Sequence, residues 1–351
     1  MPTLIANNLG LIASEKAGNY VDVTAPVNIP VVTLDPASLA THDDELEKPA
    51  TTDPVSSKTL WEAAEQADID TVRLYLDKSL QDSHSKELVN IQDPTTGATL
   101  LHLTITSASP TLTQKEADQR LDLLKLLVSH GADVTICNLY GVQAIHMVPL
   151  HLPTASFAFL ATLLDHDGAR IINARDGDGW TPLHYAARFC QPPLQVMQLL
   201  VSHGAKVNTV ATGHKSCLFG LLANGDHLDC FQWLVHTAKA DIRLLGDVST
   251  LGHRATVVLQ AAKYGRLEIL RYLVRQPDLV GKLKSLISLD ELDQARHIIR
   301  EQQPLEAEID HLTVLLDKDP SSLVAKQQRK QSRGSFIKRL CRGLWEKVNS
   351  L

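Results

Sequence analysis

Aromatic side chains are scarce in this chain: six Phe, four Trp and six Tyr make up 5% of it. Apolar residues nevertheless reach 44%, so Leu and Ala do most of the apolar work, a mix that favours helices packed closely through small side chains. Cysteines are few, and Cys137, Cys190, Cys217, Cys230 and Cys341 show neither a C-x-x-C pair nor a regular spacing. That set suits a reducing compartment, with the thiols acting as small core side chains. Long apolar runs are missing, and none approaches the roughly 18–20 residues of a membrane span. The opening stretch MPTLIANNLGLIASEKAG lacks a basic n-region, so no secretory signal is expected and the chain reads as cytoplasmic. Its formal net charge of −6 argues against a nucleic-acid binder. Catalytic signatures are missing as well: no G-x-S-x-G elbow, phosphate loop, G-x-G-x-x-G after a strand or H-E-x-x-H. Asp165, His166 and Asp167 are adjacent, but they read as a polar loop without a companion nucleophile. The expectation is a protein that is not an enzyme, with no metal and no cofactor.

What is present is uneven. Residues 1–59 carry eight acids against three lysines, and residues 326–347 carry eight bases against the single acid Glu346. Residues 1–57 are rich in Pro, Thr, Ala, Asp and Val without helical periodicity, and read as a flexible acidic arm. From Lys58 a helical pattern recurs through KTLWEAAEQADIDTVRLYL, ATLLHLTI, VQAIHMV, WTPLHYAARFC, KSCLFGLLANGDHLDCFQWLV and ATVVLQAAKYGRLEILRYLV. Its anchors are Trp61, His102, His146, His184, Phe219 and Leu259, spaced 41, 44, 38, 35 and 40 residues apart. A period near 33 with loop insertions is how a solenoid of helix pairs appears in one sequence.

GDGWTPLH, then AA, then VMQLLVSHGAKVN, over residues 177–208, resembles the ankyrin repeat, and LLKLLVSHGADV (123–134) resembles its distal half. DIDTVRLYLDK, LDCFQWLVHTAKADI and RLEILRYLVRQ match the second helix more loosely. The resemblance spans roughly residues 58–278. It implies an all-α solenoid of about five to six imperfect helix–turn–helix repeats, used in that family for binding proteins. The residues support this independently. Thr181 suits an N-cap, and Pro182 at the first helical position loses no intrahelical bond. Leu183, Ala186 and Ala187 share one face, and Leu199, Leu200 and Val201 supply the apolar face of the second helix. Gly131 and Gly204 fall just past helix ends, where a left-handed residue favours glycine. Residues 279–320 read as a degenerate repeat forming a helical cap, and residues 321–351 as a basic amphipathic tail.

His102, His146 and His184 occupy equivalent points of three repeats, so they belong to successive layers and brace caps; His130 and His203 read as helix-end polar groups. Cys137, Cys190, Cys217 and Cys230 read as core or partly buried thiols. Residues that stacking does not need are candidates for a concave binding surface: Asp178, Trp180, Arg188 and Phe189 in the best repeat, with Tyr140, Val142, Lys215, Lys263 and Tyr264 at matching positions. Trp, Tyr and Arg are favoured anchors because they bury much area or offer forked donors.

The tail is the second signal. Phe336, Leu340, Leu344 and Val348 recur every four residues, joined by Ile337 and Trp345, with Lys338, Arg339, Arg342 and Lys347 between them. Such a helix suits an anionic membrane surface or the groove of a calmodulin-like partner. RKQS, ending at Ser332, has basophilic-kinase spacing, and a phosphate there would weaken membrane attraction. The leading expectation is an adaptor that holds a protein partner on its repeats and is placed by its tail. The alternatives are a peripheral membrane protein acting mainly through the tail, and an enzyme or enzyme inhibitor with unrecognised chemistry.

Overall fold

A computed structural model describes residues 58–81, 85–109, 111–247, 254–300 and 302–316. The acidic arm expected over 1–57 and the basic tail expected over 321–351 lie outside the described residues, together with tail residues Phe336, Ile337, Lys338, Arg339, Leu340, Arg342, Leu344 and Trp345 and with Cys341.

The described helices fall into pairs. The inner helices are α1 (Leu60–Glu65), α4 (Leu100–Thr106), α6 (Ala144–His151), α8 (Pro182–Phe189), α10 (Cys217–Asn224), α12 (Val257–Lys263) and α15 (Leu289–Ile298). Their outer companions are α2 (Ile69–Gln81), α5 (Gln114–Ser129), α7 (Ser156–Ile171), α9 (Leu194–Ser202), α11 (Leu228–His236), α13 (Leu267–Arg275) and α16 (Gln303–Leu315). Two short helices, α3 (Ser85–Val89) and α14 (Pro277–Leu283), follow α2 and α13. A small antiparallel hairpin, β1 (Gly246–Asp247) with β2 (Arg254–Ala255), precedes α12. Each inner helix packs on the next along the row, and each outer helix packs on its inner partner. The molecule is thus an all-α solenoid: six pairs fill residues 60–275, and a seventh, α15 with α16, stacks on α12 and α13.

Small residues make the inner row possible. Ala63 and Ala64, Ala186 and Ala187, and Ala261 and Ala262 are all buried at the helix contacts. On α10, Gly220 lies so close to α8 that an added Cβ would be 3.4 Å from the His184 carbonyl oxygen and 3.6 Å from Ala187 Cβ. The outer helix of the fourth pair buries Val196, Met197 and Leu200, while Leu199 and Val201 are only half-buried. The apolar stripe is therefore displaced from the run of three expected at 199–201.

Each inner helix starts from an extended N-cap residue: Thr59, Thr99, Gln143, Thr181, Ser216, Thr256 and Ser288. Pro182 follows Thr181 as the first helical residue. Past the outer helices, Gly131 (φ 87°) and Gly204 (φ 91°) take the left-handed conformation. His130 and His203 stand at the C-caps, each Nδ1 2.9 Å from the carbonyl four residues earlier, Leu126 and Leu199. Two expectations need correction. Asp165, His166 and Asp167 belong to α7, not a loop; the helix kinks at Asp167 (φ −152°), whose carboxylate pairs with Arg170 at 2.9 Å. Cys137 is exposed, unlike Cys190, Cys217 and Cys230, because it lies in a turn outside the helix contacts.

Candidate functional site

The third residue of each inner helix explains the histidines. His184 Nδ1 accepts the Thr181 backbone N–H at 3.2 Å, and its Nε2 lies 3.1 Å from the Lys215 carbonyl of the next pair. Because Nδ1 must accept, the proton sits on Nε2, which donates to Lys215. His102 repeats this with Thr99 and Val142, and His146 with Gln143 and Ala174. Each imidazole thus caps its own helix and ties it to the pair that follows. The rings lie in different layers, and among the described residues no cluster of His, Cys, Asp or Glu could hold a metal ion. Burial pushes the His184 pKa down to about 4 and lowers those of His102 and His146 for the same reason.

Phe219 and Leu259 take this position in the fifth and sixth pairs. In the first pair the capping residue is Glu62, whose carboxylate accepts the Thr59 N–H at 2.7 Å, so the anchor lies one residue beyond Trp61. In the seventh it is Glu291, which reaches backwards: its Oε1 accepts the Thr256 N–H at 3.1 Å and the Thr256 hydroxyl as well.

Between pairs the chain forms tight turns. Asp93, Asn138 and Asp176 each accept two backbone N–H groups of their own turn, and Gly97, Gly141 and Gly179 supply positive φ. Successive turns are joined by backbone bonds: Leu139 N–H to Thr96 O, Gly177 N–H to Tyr140 O and Thr212 N–H to Asp178 O, at 2.9–3.0 Å. Tyr140 is 64% exposed at such a tip, whereas Val142 is buried against the inner row.

Trp180 is also buried, at 9% exposure, in a small aromatic cluster with Tyr185 and Phe189. Its ring lies 5.7 Å from that of Tyr185, and the Tyr185 hydroxyl donates to Asp176 Oδ2 at 2.7 Å. The tryptophan taken from sequence as a residue that stacking does not need spends most of its surface holding a turn onto α8. Phe189 is half-buried, with the Arg188 guanidinium 5.7 Å from its ring centre.

Five of the candidates converge all the same. A shallow groove, open to solvent, runs across α8, α10 and α12 and is lined by Trp180 with Arg188, Lys215, Lys263 and Tyr264. Its floor is Phe219, Gly220 and Ala223 of α10, with Gln260 of α12. Asp247 of the hairpin is the one carboxylate among the lining residues. Lys263 and Arg266 lie over the Tyr264 ring at 5.4 and 5.6 Å from its centre. Tyr140, Val142, Asp178 and Phe189 are outside this lining. The floor and Asp247 escaped the sequence reading. Gln260, a polar residue amid VVLQAAK, is the one signal that was available, and its side-chain amide donates to Phe219 O at 3.2 Å. Three cations, Arg188, Lys215 and Lys263, thus stand in the lining against one carboxylate, Asp247.

Other buried polar groups serve the stack. Arg120 donates to Thr104 O, Ser107 O and Glu65 O, closing the ends of two inner helices, and Asn224 does the same for Ala187 and Cys190. Asn90, Asn173 and Asn208 each bridge to the backbone one repeat further on.

Residues 114–211 match the family model described as ankyrin repeats, in three copies. The matched stretch runs from the start of α5 to the turn before α10.

Proposed function

We propose that this chain, which carries ankyrin repeats, is a non-enzymatic adaptor that holds a protein partner in the groove across its fourth to sixth helix pairs. Ankyrin repeats are in general protein–protein interaction modules. The observation that carries the finer reading is the groove itself. It gathers Arg188, Lys215, Lys263 and Tyr264 from three successive pairs, at positions where helix stacking requires no cation. The stack holds that surface in one conformation, so binding does not have to supply the cost of ordering it. The basic tail, with Phe336, Leu340, Leu344 and Val348 on one spacing, places the complex on an anionic membrane surface; a calmodulin-like partner is the second use its pattern supports. Among the described residues no helix is long and apolar enough to cross a membrane. In this reading the adaptor works in the cytoplasm.

The test replaces Arg188 and Lys263 with Ala together and compares partner recovery with that of the unaltered chain. Recovery falls at least tenfold while circular dichroism stays the same; equal recovery overturns the reading. Trp180→Ala is a poor probe, since losing a buried aromatic costs about 3–5 kcal/mol of stability. Deleting residues 326–351 abolishes liposome binding and spares partner recovery.

A further inference from the structure

We infer that the groove across α8, α10 and α12 has a resident occupant: the chain's own acidic segment, Asp43 to Glu47. This rests on the reading of that groove as a binding surface and says what fills it when no partner is present. The first argument is charge. Arg188, Lys215 and Lys263 line the groove and Arg266 flanks Tyr264, against Asp247 alone among the lining carboxylates. Asp43, Asp44, Glu45 and Glu47 place four acids within five residues, and Lys48 is the only lysine or arginine between Lys16 and Lys58. Opposite charges concentrated over a cleft with an apolar floor attract over roughly 8–10 Å at physiological salt. Leu46 stands among those acids and matches the partly exposed Ala223 of the lining.

The second argument is reach. Glu47 lies eleven positions before Lys58, where the first pair begins, and Asp43 fifteen positions before it. Extended chain covers at most about 3.3–3.6 Å per residue, so these spans reach about 40 Å and about 50 Å. Packed helices lie about 8–10 Å apart. The fourth pair, three steps along, is then about 24–30 Å from the first, and the sixth, five steps along, about 40–50 Å. The segment is long enough to lie over the whole groove, with little slack at its far end. A tether of this kind holds its ligand at millimolar effective concentration. A segment that binds with a dissociation constant of about 0.1 mM would then suppress a competing ligand about tenfold. A partner that enters must displace it, and does so best with an acidic stretch of its own.

The experiment measures anisotropy of a fluorescein-labelled peptide of residues 41–53 with the full-length protein. One variant carries Asp43→Asn, Asp44→Asn, Glu45→Gln and Glu47→Gln, which vacates the groove. It binds the peptide at least fivefold more tightly than the unaltered chain does. Adding Lys215→Glu and Lys263→Glu to that variant weakens binding at least tenfold; Lys215→Gln with Lys263→Gln, a milder change, guards against misfolding and weakens it in the same direction. Equal affinity for the unaltered and neutralised chains overturns the inference. So does peptide binding that ignores Lys215 and Lys263, the result expected if the acids pair with the basic tail instead. Partner recovery by the Arg188 and Lys263 alanine variant is read separately. Its failure removes the adaptor assignment without deciding whether the segment occupies the groove.

Discussion

A proton on the wrong nitrogen of His184 would undo two contacts at once. Nδ1 accepts the Thr181 N–H, so protonating it sets donor against donor, and the ring is only 2% exposed. The folded pKa of about 4 lies below the ordinary value of 6.5, so between those limits the unfolded chain holds the extra proton. Stability is complete above pH 6.5 and falls as the pH drops toward 4, by up to about 3 kcal/mol from this residue; His102 and His146 act in the same direction. Urea unfolding at pH 7.5 and pH 5 measures the difference, and His184→Leu, which occupies the site as Leu259 does, should reduce it, leaving the share of His102 and His146. The thiols separate in the same way. Burial pushes Cys190 and Cys217 up to about 12 and raises Cys230 as well. Peptide mapping after brief maleimide treatment should find Cys137 modified and these three untouched until the protein unfolds. The histidines were legible in sequence because they recur at one point of the repeat. The exposure of Trp180 was not, because a turn residue's burial is decided by the neighbouring helix, here through Tyr185 and Phe189.

At the scale of elements, the start of α8 was readable from Thr181 and Pro182, and the ends of α5 and α9 from Gly131 and Gly204. The bonds from one turn to the next left no mark in composition. Gly177 shows why they are exacting: an added Cβ would stand 2.8 Å from the Tyr140 carbonyl oxygen, which its own N–H bonds at 3.0 Å. Gly177→Ala should cost about 0.5–1.5 kcal/mol, the net worth of a hydrogen bond lost at an exposed turn, seen as a lower urea midpoint with unchanged helix content. Glu291 is a second dependence. Its buried carboxylate is the acceptor for the Thr256 N–H and hydroxyl, so Glu291→Ala should loosen α15 and α16 first, with faster hydrogen exchange there than in α8. Sequence reading placed α7 less well, since the DHD run looks like a loop but continues as helix on both sides of the kink at Asp167.

Over the whole molecule, neighbouring pairs carry nearly every interaction, so stability is close to a sum of local terms. Leu200→Ala in the fourth pair should cost about 2–5 kcal/mol, as buried Leu truncations do, and thermal unfolding should broaden as the array divides at that point. Side-chain ties reinforce particular neighbour interfaces: Arg120 joins the first two pairs, and Arg271 pairs with Glu308 at 3.0 Å between the sixth and seventh. The solenoid was legible because its pattern repeats, while the groove was legible only in part. Its rim residues stand out as charges in a stacked framework, but its floor is made of the same small and apolar residues that every pair contains.

The imidazole bonds have a direction, since His102, His146 and His184 each donate to a carbonyl that comes later in the chain. A protein emerging from the ribosome amino end first therefore exposes each of these rings before its acceptor has been made. Nascent pairs two to four wait on their successors, and a stalled or prematurely ended chain should be a better protease substrate than one shortened by the same length from its beginning.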